Sequence, residues 1–391
     1  MGPAPLGGAR TRFTFTDEQE MVRKMVREFA DRQLRPNAQR IDMESEFPAA
    51  NFREAAKLGL VGAPVAAEYG GGGMGAVEWA IIMEEFGRGC GSTALTLAGH
   101  TSLCCGHINV AGTEEQKRQW LPRLASGEWI GGWALTEPGS GSDAAGMKTR
   151  AVRRGDEWEI TGSKMFCTNG SKAQAVVLLA STNPEKGSHG ITAFVVRTDT
   201  PGFHATKDEH KMGLRGSATS ELVLDKVKVP DSQRLGEVDF GFADTLRVLD
   251  NGRIGIGAMA VGLSQAALDD SVAYAKQRTT FGKPLAEHQA IQFMIADMTV
   301  EIEAARLLVL NAAQRKDKGL DFKTQASMAK LYASEVSSRV TNKAVQIFGG
   351  YGYVTEYNVE RYLRDAKLTE IGEGTSEVQR IVIARSLGLG D

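Results

Sequence analysis

The chain has 391 residues, 42% apolar and 24% charged, and its formal net charge is -2. That balance is ordinary for a globular protein with a large core in two or three domains. It lacks the basic block that marks a nucleic-acid footprint, and its apolar runs fall far short of a membrane span.

In chain order, the opening "MGPAPLGGARTRF" is rich in Gly and Pro and has no apolar signal core, which predicts a short disordered arm. Thr16 and Gln19 have the spacing of a capping box. The following "TDEQEMVRKMVREFADRQL" puts Met21, Met25, Val26 and Phe29 on one stripe of a helix, with Pro36 beyond its end. "YGGGGMG" (69–75) is a loop, because it lacks the Lys-Ser/Thr ending of a phosphate-binding loop. "HTSLCCGH" (100–107) spaces His100 and Cys104 as some zinc sites do. Adjacent Cys104 and Cys105 diverge, however, and the segment is otherwise small and apolar, so a buried helix is expected and no metal site. Thr113 and Gln116 repeat the capping box. The four cysteines, Cys90, Cys104, Cys105 and Cys167, make no CxxC pair, which points to a reducing compartment.

From about 130 to 238 the pattern changes to short β-rich runs between turn residues: "EWEITGSKMFCTNG", "AQAVVLLAST", "GITAFVVRTDTPGF" and "SELVLDKVKVP". Helical periodicity returns at 241–277, 286–316 and 322–348. "GIGAMA" (255–260) matches a dinucleotide fingerprint but lies inside a helical pattern, so its glycines are expected to permit close helix packing. The expected fold is α+β: an N-terminal helical domain (1–128), a middle antiparallel β domain (129–240) and a C-terminal helical bundle (241–391).

Several stretches carry chemistry beside a bland alternative. "TEPGSGSD" (136–143) is an ordinary turn or a loop offering backbone N–H groups and hydroxyls to a ligand. In "QRTTFGKPLAEHQAIQF", Arg278 can pair with phosphate and Gln289 can cap or bind. "QIFGGYGY" (346–353) is a glycine C-cap or a backbone that lies close to a flat ligand. In "IGEGTSEVQR" (371–380), Ser376 and Gln379 match a capping box, and Glu373 just before it is stabilised by the helix dipole or serves as an accessible base.

These motifs, with "ALTEPGSGSD", "KMFCTNG", "MGLRGSATSELVLDKVKVP" and "LDNGRIGIG", occur in the order found in acyl-CoA dehydrogenases. The chain resembles that family from about residue 13 to 387, and its short-chain and bacterial members in particular. The resemblance implies an FAD enzyme that introduces a trans-2,3 double bond into an acyl-CoA thioester. A base takes the α-proton, and the flavin takes hydride from the β-carbon. Glu373 matches the base, with its backbone N–H and an FAD ribityl hydroxyl aimed at the thioester oxygen. Trp133, Leu135, Thr136, Gly141 and Ser142 match the loop along the flavin, and Ser142 also matches a contact to the CoA arm. Phe166 and Thr168 match residues beside the flavin ring, where many members have Trp in place of Phe166. Arg278, Phe281, Gln289, Gln346, Gly349 and Gly350 match residues that reach the FAD of a neighbouring subunit, and Thr375 and Glu377 match further FAD contacts. Asp250 and Arg253 match a substrate-side pair, and Gly374 flanks the base. Some members carry their base at the position of Gly252, and glycine there leaves Glu373 as the sole candidate.

Leu95, Gly99 and Leu103 match the floor of the acyl pocket, with Gly99 expected to deepen it. Many members have Tyr at Gly372, so short and branched chains are expected to fit. The resemblance further implies a homotetramer, an electron-transfer flavoprotein as acceptor, and residence in a bacterial cytoplasm or a mitochondrial matrix. Three rivals stand beside this. An oxidase is usually much longer, a decarboxylating dehydrogenase acting on a dicarboxylyl-CoA needs an extra cation at the pocket floor, and a DNA-associated relative needs a basic extension.

Overall fold

The structure, a computed structural model, describes residues 14–390, so the expected N-terminal arm lies outside the described residues. Among them, the chain opens with seven α-helices: α1 (Asp17–Phe29), α2 (Arg35–Met43), α3 (Ala49–Lys57), α4 (Ala76–Gly89), α5 (Gly91–Leu97), α6 (Gly106–Ala111) and α7 (Glu114–Ala125). Both capping boxes form: Thr16 accepts from the Gln19 N–H and Thr113 from the Gln116 N–H, and each glutamine reaches back to its cap. A wider, π-helical turn, Ala98–Cys105, joins α5 to α6 and is wholly buried, His100 and both cysteines included.

The strands follow: β1 (Gly131–Ala134), β2 (Arg150–Arg154), β3 (Glu157–Thr168), β4 (Ala175–Ser181), β5 (Ile191–Arg197), β6 (Phe203–Asp208), β7 (Thr219–Pro230) and β8 (Arg234–Leu235). Their order is β6-β7-β3-β2-β4-β5-β8, with β1 also on β4. Most pairs are antiparallel as expected, but β1 runs parallel to β4, from Gly131↔Ala175 to Ala134↔Leu178, which departs from a purely antiparallel domain. Alternate residues feed two cores. Val177, Leu179 and Val195 pack with Trp120 and Leu124 of α7, and Trp158, Ile160 and Phe194 pack with Val227 and Val229 on the other face.

A small hairpin, β9 (Thr279–Thr280) and β10 (Lys283–Pro284), separates α8 (Gly241–Gln277) from α9 (Gln289–Asp317). Then come α10 (Lys323–Phe348), α11 (Val359–Thr369) and α12 (Ser376–Ser386). Helices α8–α11 share a single apolar core with α1–α5, from Val26 and Phe86 to Met259, Val336 and Tyr362. The "GIGAMA" glycines lie inside α8, as expected. A Cβ on Gly257 would meet Val309 Cγ2 at 3.1 Å and one on Gly255 would meet Trp79 Nε1 at 3.2 Å. Close packing is their use, since a helix interior offers no strand-to-helix turn for a pyrophosphate.

Candidate active site

The loop after α11 is wound tightly. The N–H groups of Ile371 and Gly372 both donate to Leu368 O, at 2.9 and 2.8 Å, and Ser376 N–H donates to Glu370 O at 2.9 Å. At its tip Glu373 lies in the left-handed region at φ +54°, followed by Gly374 at +93°. That conformation costs a residue with a Cβ on the order of 1 kcal/mol. Helix α12 starts one residue earlier than expected: Thr375, not Ser376, is its N-cap and accepts from Val378 N–H at 3.3 Å. Gln379 is drawn away from the cap, because its amide donates to Gly374 O at 2.9 Å and reaches Glu373 O at 3.4 Å. Among the described residues, the Glu373 N–H donates to no protein acceptor.

The Glu373 carboxylate points inward, and its Oε2 is buried without a hydrogen-bond partner. It lies against α8 where Gly252 has no side chain; a Cβ there would stand 1.9 Å from Oε2. Burial pushes the carboxyl up to about 7, and the nearby cations Lys330 and Arg253 hold it from going further. Arg253 pairs with Asp250 and donates to Ser327 Oγ at 3.2 Å, while its own Nε is buried and unpartnered. Burial raises the Asp250 carboxyl and lowers the Arg253 guanidinium, each opposed by the other.

The π-helical turn links this acid to the β domain. Leu103 Cδ2 lies 3.4 Å from the Cβ position of Gly252, and Gly99, a turn earlier, faces β3. Four residues of helix span roughly 6 Å, so Glu373 and Thr168 stand at the two ends of one turn. Leu95 and Leu103, expected at the floor of the acyl pocket, are both buried. Gly99 does not deepen that floor. A Cβ on it would meet Thr168 Cγ2 at 2.8 Å, so its missing side chain admits Thr168. Gly372 does have room, with Leu368 atoms at 3.6 to 4.0 Å from an added Cβ.

Beside Thr168 the flavin-loop candidates come together. Met165 N–H donates to Thr136 O at 2.8 Å, and Cys167 Sγ lies 3.5 Å from Trp133 O, so β1 and the end of β3 run side by side. The register slips between Lys164 and Cys167, and in that bulge Phe166 takes φ +55° and turns its ring outward, 60% exposed. Leu135 is buried, whereas Gly141 and Ser142 are exposed on a turn where a Cβ on Gly139 or Gly141 would meet open space. Three supports of this loop escaped the sequence reading. Glu137 accepts from Lys148 and Thr149 N–H at 2.6 and 3.0 Å and from the buried Lys164 Nζ at 2.7 Å. Burial lowers that ammonium to about 8, opposed by Glu137. The Trp133 indole donates at 3.1 Å to buried His107, whose imidazole burial holds neutral, down to about 3. Lys164 occupies an inward position of the β3 alternation, which is the signal that was available.

The other candidates form a separate, exposed cluster. Arg278 ends α8 with its guanidinium over the Tyr351 ring at 5.5 Å, beside Gly349, which caps α10 at φ +61°, Gly350 and Gln346. Phe281 is 97% exposed at the β9–β10 turn, and Gln289 begins α9. Among the described residues, no hydrogen bond or ring contact joins this cluster to Glu373 or to the Trp133 loop. Thr375 and Glu377 belong to the start of α12, beside Glu373. An outward aromatic ring in a strand bulge, an open turn of small residues and a buried acid one helical turn away fit FAD with a substrate between. Among the described residues no cluster of His, Cys, Asp or Glu could hold a metal ion, and no helix is long and apolar enough to cross a membrane.

A buried, unpartnered carboxylate of raised proton affinity beside an open turn of small residues has the chemistry of a base set next to a bound ligand. Family models for the N-terminal, middle and C-terminal domains of acyl-CoA dehydrogenase match residues 16–128, 132–227 and 239–388. The chain is 47% identical over 372 residues to a short-chain-specific acyl-CoA dehydrogenase of Clostridium acetobutylicum, spanning 95% of this chain and 98% of that protein. It is 44% identical to a caffeyl-CoA reductase–Etf complex subunit of Acetobacterium woodii, over 95% and 99% of the two chains. The butyryl-CoA dehydrogenase structure from Megasphaera elsdenii superposes with a TM-score of 0.94 at 44% identity, over 96% of this chain and 99% of that one. The chain belongs to the acyl-CoA dehydrogenase family. Its members are FAD flavoproteins, and its reaction is the FAD-dependent α,β-dehydrogenation of an acyl-CoA thioester.

Proposed function

We propose that the chain oxidises short or branched acyl-CoA thioesters to trans-2-enoyl-CoA, with Glu373 as the base. The observation that carries this reading is a carboxylate oxygen that is buried, unpartnered and set against a helix with no side chain in its way. An α-proton of a thioester is weakly acidic, so the base needs a high proton affinity and a nearby donor for the developing enolate oxygen. Dehydration supplies the first, lifting the carboxyl to about 7. The free Glu373 N–H supplies the second. FAD, when bound, supplies the acceptor for two electrons and the β-hydrogen. Trp133, Leu135, Thr136, Gly141, Ser142, Phe166 and Thr168 would hold its ring side, with Thr375 and Glu377 nearby. Arg278, Phe281, Gln289, Gln346, Gly349 and Gly350 would complete the site of a neighbouring subunit in a homotetramer. Leu95 and Leu103 line the acyl slot, and Gly372 leaves space for a branch beside the reacting carbons.

Short chains are supported by the names of the clostridial and Megasphaera relatives. An electron-transfer flavoprotein as acceptor is supported by the complex to which the Acetobacterium relative belongs. The test is anaerobic flavin bleaching by butyryl-, isobutyryl-, isovaleryl- and octanoyl-CoA, with Glu373→Gln as the control. The amide should keep FAD and bind substrate yet slow bleaching by at least ~10²–10⁴, the usual worth of a general base. Retention of more than a tenth of the wild-type rate would move the base elsewhere.

A further inference from the structure

Lys330 has no place in the roles assigned so far, yet it is fully buried on α10. Its side chain leaves the helix on the core-facing stripe with Ser327, Ala333, Ser334 and Ser337, where an ammonium is costly. Among the described residues no carboxylate comes within ion-pair distance of Nζ. Its hydrogen bond goes instead to the carbonyl of Gly374, at 2.6 Å. The Gln379 amide approaches the same oxygen at 2.9 Å, so the peptide just after Glu373 is held by donors from α10 and α12. The charged groups that act on Lys330 are Glu373, Arg253 of α8, Glu370 at the end of α11 and Glu377 of α12; those that act on Glu373 are Lys330 and Arg253. Arg253 already has a carboxylate partner in Asp250, which leaves Lys330 as the uncompensated cation of the pair.

We propose that Lys330 is a positioning residue for Glu373: its ammonium holds the Gly374 carbonyl, and with it the left-handed turn, and sets a positive charge on the side of the buried carboxylate. The inference rests on Glu373 being the base. A base acts ionised, so activity rises as pH climbs through its pKa. A neighbouring cation favours the ionised form, and removing it moves that rise to higher pH.

The experiment compares holoenzyme with Lys330→Met, Lys330→Gln and Glu373→Gln. Flavin absorbance first establishes that each variant carries FAD as the wild type does. In Lys330→Met the acid limb of kcat/KM for butyryl-CoA should move up by about one pH unit, as expected for losing a nearby opposite charge. The infrared C=O stretch of a protonated carboxyl, identified by its absence in Glu373→Gln, should persist to correspondingly higher pH. That measurement needs only the folded chain, not turnover. Lys330→Gln keeps a donor without the charge and should show the same displacement, so it decides the matter if the methionine variant does not fold. A limb and a C=O titration both at the wild-type pH would overturn the role of Lys330 while leaving Glu373 as the base. An active Glu373→Gln would instead overturn the assignment of the base.

Discussion

Gly252→Ala is the sharpest perturbation of this site, because one methyl separates stability from activity. The new Cβ would stand 1.9 Å from Glu373 Oε2 and 3.0 Å from its carboxyl carbon, but 3.4 Å from Leu103 Cδ2, an ordinary contact. Only the far end of the Glu373 side chain is in the way, and it can swing aside. To regain van der Waals contact it must retreat by about 1.5 Å, the difference between 1.9 and 3.4 Å. The backbone of α8 accepts alanine, and replacing glycine inside a helix is worth up to about 1 kcal/mol of stability. A misplacement of about 1 Å at reacting atoms costs on the order of 10²-fold in rate. The variant should therefore melt at or above the wild-type temperature, keep its flavin and bleach about a hundredfold more slowly with butyryl-CoA in anaerobic stopped flow. Gly255→Ala is the control: it makes the same change in the same helix but meets Trp79 Nε1 at 3.2 Å and not the acid. If Gly252→Ala bleached within threefold of wild type, the Glu373 carboxylate would not be working from the position it occupies here.

Glu373→Gln should also change stability in a pH-dependent way. A carboxyl lifted from 4.5 to about 7 by burial binds its proton more tightly folded than unfolded, so its penalty is absent at low pH, grows from about 4.5 upward and is complete above about 7. The amide should raise the melting temperature of the flavin-free chain at pH 8 and leave it unchanged at pH 4; equal shifts at both would contradict the buried charge. Lys164→Met removes one partner of a buried pair and leaves Glu137 charged, which should cost about 3–5 kcal/mol in urea unfolding and loosen the loop from Trp133 to Ser142. Flavin should be lost more readily, and a variant as stable as wild type would show that the pair does not anchor the loop. Gly372→Tyr places its Cβ at ordinary distance from Leu368. It should lower kcat/KM for isobutyryl-CoA at least tenfold more than for butyryl-CoA, and equal losses would remove Gly372 as the source of branch tolerance.

Much of this architecture was legible because its signals are local. The capping boxes at Thr16 and Thr113 form as read, α8 spans 241–277 as its periodicity predicts, and the segment carrying Cys104 and Cys105 is a buried helix. What escaped depends on partners distant in sequence. The parallel pairing of β1 with β4 joins residues some forty apart, and nothing in either strand specifies its direction. The cap of α12 shifted from Ser376 to Thr375 because both offer a hydroxyl, and Gln379 was recruited by the carbonyls of Glu373 and Gly374. Gly99 was expected at the pocket floor by resemblance, but Thr168, on a strand from another layer, decides what its missing side chain is for. Lys330 and Lys164 were passed over because a lysine in a helix or strand is ordinarily solvated, and only a strict reading of the buried stripe singles them out.

The acid between two glycines now has a physical explanation with three parts. Its proton affinity comes from burying the carboxylate without hydrogen bonds, and the donors of the flanking helices α10 and α12 are directed to the backbone instead. Lys330 and Gln379 donate to the carbonyl of Gly374, and Gln379 reaches that of Glu373, while Oε2 stays bare. Such a carboxylate needs a cavity rather than a partner, and Gly252 supplies it from α8. The loop must also deliver the side chain inward and yet keep the Glu373 N–H free for a substrate oxygen. The N–H groups of Ile371 and Gly372 take Leu368 O, and that of Glu373 is left without a protein acceptor among the described residues. The left-handed conformation at φ +54° then turns the chain sharply after the acid, and Gly374, at +93°, is the residue type able to continue the chain from it. The glycines therefore serve the backbone on either side of the acid, and the acid's reactivity follows from what the surrounding helices withhold from it.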